Sequence, residues 1–275
     1  MSDPRAIGVF DSGMGGLTVL RALRDTLPHE DLVYLGDTAR LPYGTKSADT
    51  VAAYALQATR KLLAHDVKMV VIACNTASAV AIEPLAEQHA PLPVIGVVEP
   101  GARAGVAATK TKRVGVLATE STVKGGAYAR AISALAPDVH IRQQPCALFV
   151  ALAEEGWGND AIAEAAAQRY LAPLFDDPET APDTLVLGCT HFPVLAPAIA
   201  RVLGDGVTLV DSAATTAESV AAALERNGLA TDASSNGSER FLATDAPERF
   251  ARVGGLFFGS DIDAARVELI DLQLS

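Results

Sequence analysis

Two cysteines of the 275-residue chain stand in nearly the same company. Cys74 follows Val70-Val71-Ile72-Ala73 and precedes Asn75-Thr76; Cys189 follows Leu185-Val186-Leu187-Gly188 and precedes Thr190-His191-Phe192. An apolar run with β-branched residues that ends in a small residue, a thiol and hydrogen-bonding groups predicts a buried parallel strand with the thiol at its carboxyl end. In open α/β sheets that end faces the ligand crevice. Two thiols on opposite faces of one carbon could take a proton on one side and return it on the other, inverting configuration with no cofactor. Each direction needs one thiolate and one thiol, and the ordinary thiol pKa of about 8.5 responds to its surroundings. The carbanion formed next to a carboxylate would need donors aimed at that carboxylate.

A lone buried cysteine is most often inert packing, and Cys146, followed by Ala147-Leu148-Phe149, is assigned to the core. Cys74 and Cys189 differ in their polar followers. His191 is read as an acid/base partner or charge tuner for Cys189, against the commoner outcome of a satisfied histidine near a sheet edge. Asp11-Ser12-Gly13-Met14-Gly15-Gly16 joins a strand to a helix. Its glycines permit close approach of a ligand, and the helix start offers N–H groups to an anion. Neither GxGxxG nor a Walker A motif is present, and a tight strand-to-helix turn is the plain alternative. Asp37, at a strand tip, could equally cap a turn. Tyr43, in Pro42-Tyr43-Gly44, is either a pocket wall or a loop anchor. Glu154 and Glu155 read on their own as a solvated helix end.

Positioning these groups requires alternating strands and helices. Strands are expected at Ile7 to Phe10, Leu32 to Leu35, the two cysteine runs, Val94 to Val98, Arg113 to Ala118 and Val207 to Asp211, with helices between. That alternation predicts an α/β fold with a mainly parallel sheet. The pattern restarts part-way: Ile7 and Val114 open similar runs 107 residues apart, and Cys74 and Cys189 lie 115 apart. The reading is a weak internal duplication, giving two related lobes. Asp232 to Glu239 reads as a surface loop, Phe241 to Thr244 as a late strand, and Gly255 to Phe258 as a terminal docking segment. The tail is expected to return to the first lobe, so that residues 1–97 plus 210–275 form one lobe and 98–209 the other.

Composition sets outer bounds. The chain is 49% hydrophobic with a mean hydropathy of +0.24, enough apolar residue for a large core. A net charge of −11 and a pI near 4.9 disfavour nucleic acid or an anionic membrane surface as partner. The initial apolar run is too short for a signal peptide, and no stretch approaches the ~18 apolar residues of a membrane span, so the cytoplasm is expected. Three widely spaced cysteines without a CxxC pair argue against a disulfide framework or structural zinc. No metal is expected.

Four stretches, taken in order, resemble the glutamate racemases of the cofactor-independent aspartate/glutamate racemase superfamily. They are Asp11 to Val19, Gly36 to Gly44, Ala73 to Ala77 and Gly188 to Pro193, and the likeness runs from Ile7 to about Gly259. The resemblance implies two pseudo-symmetric α/β lobes with the active site between them. It implies interconversion of L- and D-glutamate without a cofactor, supplying D-glutamate for bacterial peptidoglycan. By the same resemblance Cys74 and Cys189 are the catalytic acid/bases, Asp11 assists the first, and Glu154 and His191 assist the second. Cys74 would take the proton from D-glutamate and Cys189 from L-glutamate. Substrate contacts would come from Asp11, Ser12, Pro42, Tyr43, Gly44, Asn75, Thr76, Thr119, Thr122, Thr190 and His191. Two features depart from the pattern: Ala147 stands where a proline often follows the cysteine, and Lys124-Gly125-Gly126 is looser than the usual polar triplet. The expected assembly is a homodimer. Rival readings are a racemase of aspartate or another acidic amino acid, a non-catalytic two-lobed amino-acid-binding protein, and a thiol redox enzyme.

Overall fold

The computed structural model describes residues 2–272. The first sheet starts with β1 (Ile7–Asp11), β2 (Leu32–Gly36), β3 (Met69–Ile72) and β4 (Val94–Gly96), joined by α1 (Leu17–Thr26), α2 (Ala48–Leu63) and α3 (Asn75–His89). After α4 (Val98–Ala108) the second sheet forms from β5 (Arg113–Ala118), β6 (His140–Pro145), β7 (Thr184–Gly188) and β8 (Thr208–Asp211). Its connecting helices are α5 (Glu120–Gly125), α6 (Ala127–Leu135), α7 (Ala147–Glu154), α8 (Ala161–Phe175) and α9 (Ala196–Leu203). The chain closes with α10 (Ser212–Asn227), β9 (Glu239–Ala243), α11 (Pro247–Phe258) and β10 (Val267–Leu269).

Strand order is β10-β9-β2-β1-β3-β4 in one sheet and β6-β5-β7-β8 in the other. Every pairing is parallel. With β5 to β8 counted as a second first-to-fourth, both sheets share the order 2-1-3-4, so the repeat expected from the two cysteine runs is a repeat of topology. The first sheet is extended by β9, which pairs with the outer edge of β2, and by β10 beyond it. Strands β1, β2, β3 and β7 are buried along their whole length, as parallel strands covered by helices on both faces must be.

Each sheet has an apolar cluster of its own, and a third, larger cluster joins the two. Leu17, Leu20 and Leu23 on α1 share one apolar cluster with Leu187 on β7, Phe149 on α7 and Val220 and Leu224 on α10. Burial of each such leucine is worth about 1.5–3 kcal/mol, so α1 and α10 fasten the two sheets together. Among the described residues no helix is long and apolar enough to cross a membrane.

Three local expectations change. Gly255 to Phe258 is the end of α11 rather than a separate segment. The fourth strand stops at Gly96, and Val98 already opens α4. Strand β6, His-Ile-Arg-Gln-Gln-Pro, escapes the sequence pattern because it is an edge strand with one strongly apolar residue, half-buried along most of its length.

Candidate active site

The shared topology puts equivalent strand tips at the centre of the molecule. Phe10 on β1 is in register with Ile72 on β3, so Asp11 and Cys74 leave neighbouring strands at the same end. Ala118 on β5 is in register with Gly188 on β7, which does the same for Thr119 and Cys189. Turns from the two sheets then pack directly together. A Cβ on Gly15 would overlap the His191 ring and lie 2.6 Å from Thr190 Oγ1. A Cβ on Gly44 would lie 2.9 Å from Thr119 Cβ. Glycine at these positions is needed for close approach between turns. Thr18 Oγ1 donates to Thr190 O at 3.1 Å, and Ser121 Oγ donates to Gly44 O at 2.6 Å, so both seams are also hydrogen-bonded.

Cys74 caps α3, its Sγ accepting from the backbone N–H of Ala77 at 3.4 Å. Its thiol also donates to Ser12 Oγ at 3.5 Å. Burial pushes the Cys74 thiol up to about 12, and the charge of Asp11 pushes the same way, with Ser12 and the Ala77 N–H opposing. Asp11 is itself fully buried. Its Oδ2 accepts from the Gly13 N–H at 2.9 Å, while Oδ1 has no protein partner. Burial raises its pKa, against the nearby His191 charge and backbone N–H groups. Asp11 thus reaches Cys74 through its field, and its direct hydrogen bond goes to its own turn.

Around Cys189 the partners are ionisable. His191 Nδ1 lies 3.8 Å from Cys189 Sγ, and Nε2 meets Glu154 Oε1 at 3.2 Å. Burial alone would discharge the imidazole, but its bonds to Cys189 and Glu154 outweigh that and carry His191 up to about 10. Glu154 is held below the usual carboxylate range: burial opposes this, and His191 and Arg249 prevail.

Three hydroxyls form a ring between the sheets. Thr76 Oγ1 is 3.1 Å from Thr119 Oγ1 and 3.3 Å from Thr122 Oγ1, and the last two are 3.0 Å apart. Asn75 is buried with Oδ1 accepting from the Tyr128 hydroxyl at 2.7 Å, which leaves Nδ2 without a protein partner. The Lys124-Gly125-Gly126 departure falls where α5 gives way to α6, beyond the Thr122 position, and Ala147 opens α7. Thr122 and Glu154 therefore keep their places in the two clusters. Pro42 is exposed, just before the Tyr43–Thr45 turn.

Tyr43 is a loop anchor: its ring packs on Phe10 and Tyr54, and its hydroxyl donates to Asp37. Asp37 also accepts from Arg40 Nε at 2.6 Å and Thr244 Oγ1 at 3.0 Å. The anchored ring shares a buried cluster with Cys74, so anchoring its hydroxyl is compatible with a place beside the thiol. Cys146 is fully buried at the start of α7, with burial raising its thiol pKa. Arg249, Phe257 and Tyr128 touch site residues and were not singled out from the sequence. Each comes from a distant helix in which nothing local marks it.

A family model described as Asp/Glu/Hydantoin racemase matches residues 15–220. A glutamate racemase of Geobacter metallireducens is 48% identical over 96% of this chain and 97% of its own. One from Neisseria meningitidis is 46% identical, covering 98% and 97%. The chain belongs to the Asp/Glu/hydantoin racemase family. Membership makes it an isomerase. Among solved structures it is similar to a glutamate racemase from Francisella tularensis in complex with D-glutamate, with a TM-score of 0.90 at 38% identity over 98% of this chain and 99% of the other. The two-sheet architecture is therefore the family's own.

Proposed function

We propose that this family member interconverts L- and D-glutamate, with Cys74 and Cys189 as the acid/bases on opposite faces of the α-carbon. One observation carries the reading. The two thiols sit at equivalent strand tips of two sheets with the same strand order, and the turns around them interlock. The choice of glutamate is supported by the names of relatives nearly half identical over almost their whole length.

The proton balance is simple. The Cys189 thiolate takes the α-proton of L-glutamate, the C–H electron pair passes into the α-carboxylate, and the Cys74 thiol returns a proton to the opposite face. The pair ends as Cys189 thiol and Cys74 thiolate, the form that acts on D-glutamate. A Cys74 pKa of about 12 keeps that thiol protonated at rest, which suits it to donate first. The unpartnered Asn75 Nδ2 and the Thr76, Thr119 and Thr122 hydroxyls are donors for substrate oxygens, with Ser12, Gly44 and Thr190 completing the walls. Charge developing on the carboxylate would be met by dipoles already in place. No cofactor takes part. The D-glutamate formed would feed peptidoglycan synthesis in the cytoplasm. A homodimer is the assembly proposed, with lobes of residues 1–97 plus 210–275 and of 98–209.

The test is α-proton exchange in D2O, followed by NMR, alongside circular dichroism of L- and D-glutamate without pyridoxal phosphate. Exchange and racemisation of both enantiomers are expected. Turnover of aspartate alone would move the assignment to the aspartate reading, and no turnover with tight binding would favour a binding protein.

A further inference from the structure

The last helix reaches the Cys189 side of the site at two points. Arg249 Nη2, in the first turn of α11, donates to Glu154 Oε2 at 2.7 Å. Phe257, near the helix end, sets its ring edge-on to His191, with centroids 5.0 Å apart and planes at 72°. Glu154 thus divides its two oxygens between an imidazole and a guanidinium. The carboxylate comes from the end of α7, beside the second sheet. The guanidinium comes from a helix that follows β9 of the first. Phe250 and Val253 on α11 are buried in the shared core, so the helix that carries Arg249 is fixed independently of the site.

A carboxylate held by a single partner can rotate and slide along that bond. One held from both sides by positive groups has its plane and position fixed, and charge-assisted pairs are the strong ones. Cys74 has no such connection, since its partners are Ser12 and the Ala77 N–H. We propose that Arg249 is a positioning residue for the Cys189 half of the reaction, acting through Glu154 to hold His191 against the thiol. This deepens the proposed racemisation and rests on it.

Steady-state rates cannot show one-sidedness. L- and D-glutamate have equal free energy in water, so kcat/KM must fall equally in both directions. Isotope effects can separate them. With Arg249→Gln, kcat/KM is expected to fall about tenfold, the scale of one charge-assisted hydrogen bond. The deuterium effect on kcat/KM should rise for the enantiomer Cys189 deprotonates, L-glutamate in the proposed reading, as that transfer becomes more rate-limiting. For the other enantiomer the effect of α-deuteration should fall towards unity, because its label leaves at the Cys74 step. Arg249→Lys, which keeps a donor and the charge, should recover most of the rate. An unchanged kcat/KM in Arg249→Gln, or isotope effects that move together for both enantiomers, would overturn the proposal. A wild-type protein that exchanged neither enantiomer would instead remove the racemisation reading beneath it.

Discussion

The two thiol-bearing turns share a strand order but not an electrostatic plan. Cys74 heads a fifteen-residue helix and is served by a hydroxyl and a backbone N–H. Cys189 runs into a short 3-10 turn with a histidine beside it, followed by a glutamate and an arginine in line. The first environment keeps a thiol protonated by burial and a neighbouring carboxylate. The second surrounds its thiol with a charged imidazole backed by a carboxylate. In the proposed reaction, one repeated strand order carries two different proton-handling devices. The lesson is that equivalence of backbone does not carry over to equivalence of charge.

The largest expected effect tests whether both devices are needed. Cys74→Ala and Cys189→Ala should each lower racemisation by roughly 10²–10⁴-fold, the usual contribution of a positioned acid/base, measured by circular dichroism on either enantiomer. If one variant kept wild-type rates, the two-sided plan would be gone. Next, Gly15→Ala would force a methyl into the His191 ring while leaving the partners of Cys74 in place. It should cost racemisation about as much as His191→Asn, at roughly 10²-fold, and should lose the edge-on stacking of Phe257 in a crystal structure.

The ionisable side should also have its own pH signature. His191 rises from an ordinary 6.5 to about 10 in the fold. Its contribution to stability is thus fully present below pH 6.5 and lost as pH rises through about 10. Wild type should lose thermal stability relative to His191→Asn across that interval, and parallel melting curves of the two proteins would contradict the assignment. The smallest effect concerns the neutral side. Tyr128→Phe strands the buried Asn75 Oδ1, at a cost of about 1–3 kcal/mol, read as a lower midpoint in urea. Its chemical step should survive better than in His191→Asn.

How much of this was legible in the chain follows from range. The cysteine strands stood out because burial on both faces demands an apolar run, and the polar followers are adjacent in sequence. Asp11 and the Gly15 turn were legible for the same reason. Glu154 was not: by its neighbours it is an ordinary helix end, and only the family resemblance singled it out. Its meaning comes from His191 and Arg249, 37 and 95 residues away. Asp11 was expected to assist Cys74; its hydrogen bond goes to Gly13, and its influence on the thiol is electrostatic. Tyr128, Phe257 and β6 were missed because helix packing and an edge position leave no periodic mark.

The place of β9 beside β2 bears on how the protein is made. Strand β2 ends at Gly36, and the strand that covers its outer edge begins at Glu239, so about 200 residues must leave the ribosome in between. At ordinary synthesis speeds that is roughly 10–40 seconds. During that time a buried, apolar strand presents unpaired backbone to the crowded cell, the circumstance that invites edge-to-edge association. A nascent chain arrested before residue 239 should therefore be held by chaperones or aggregate. One arrested with β9 and β10 clear of the exit tunnel should be released as a finished sheet.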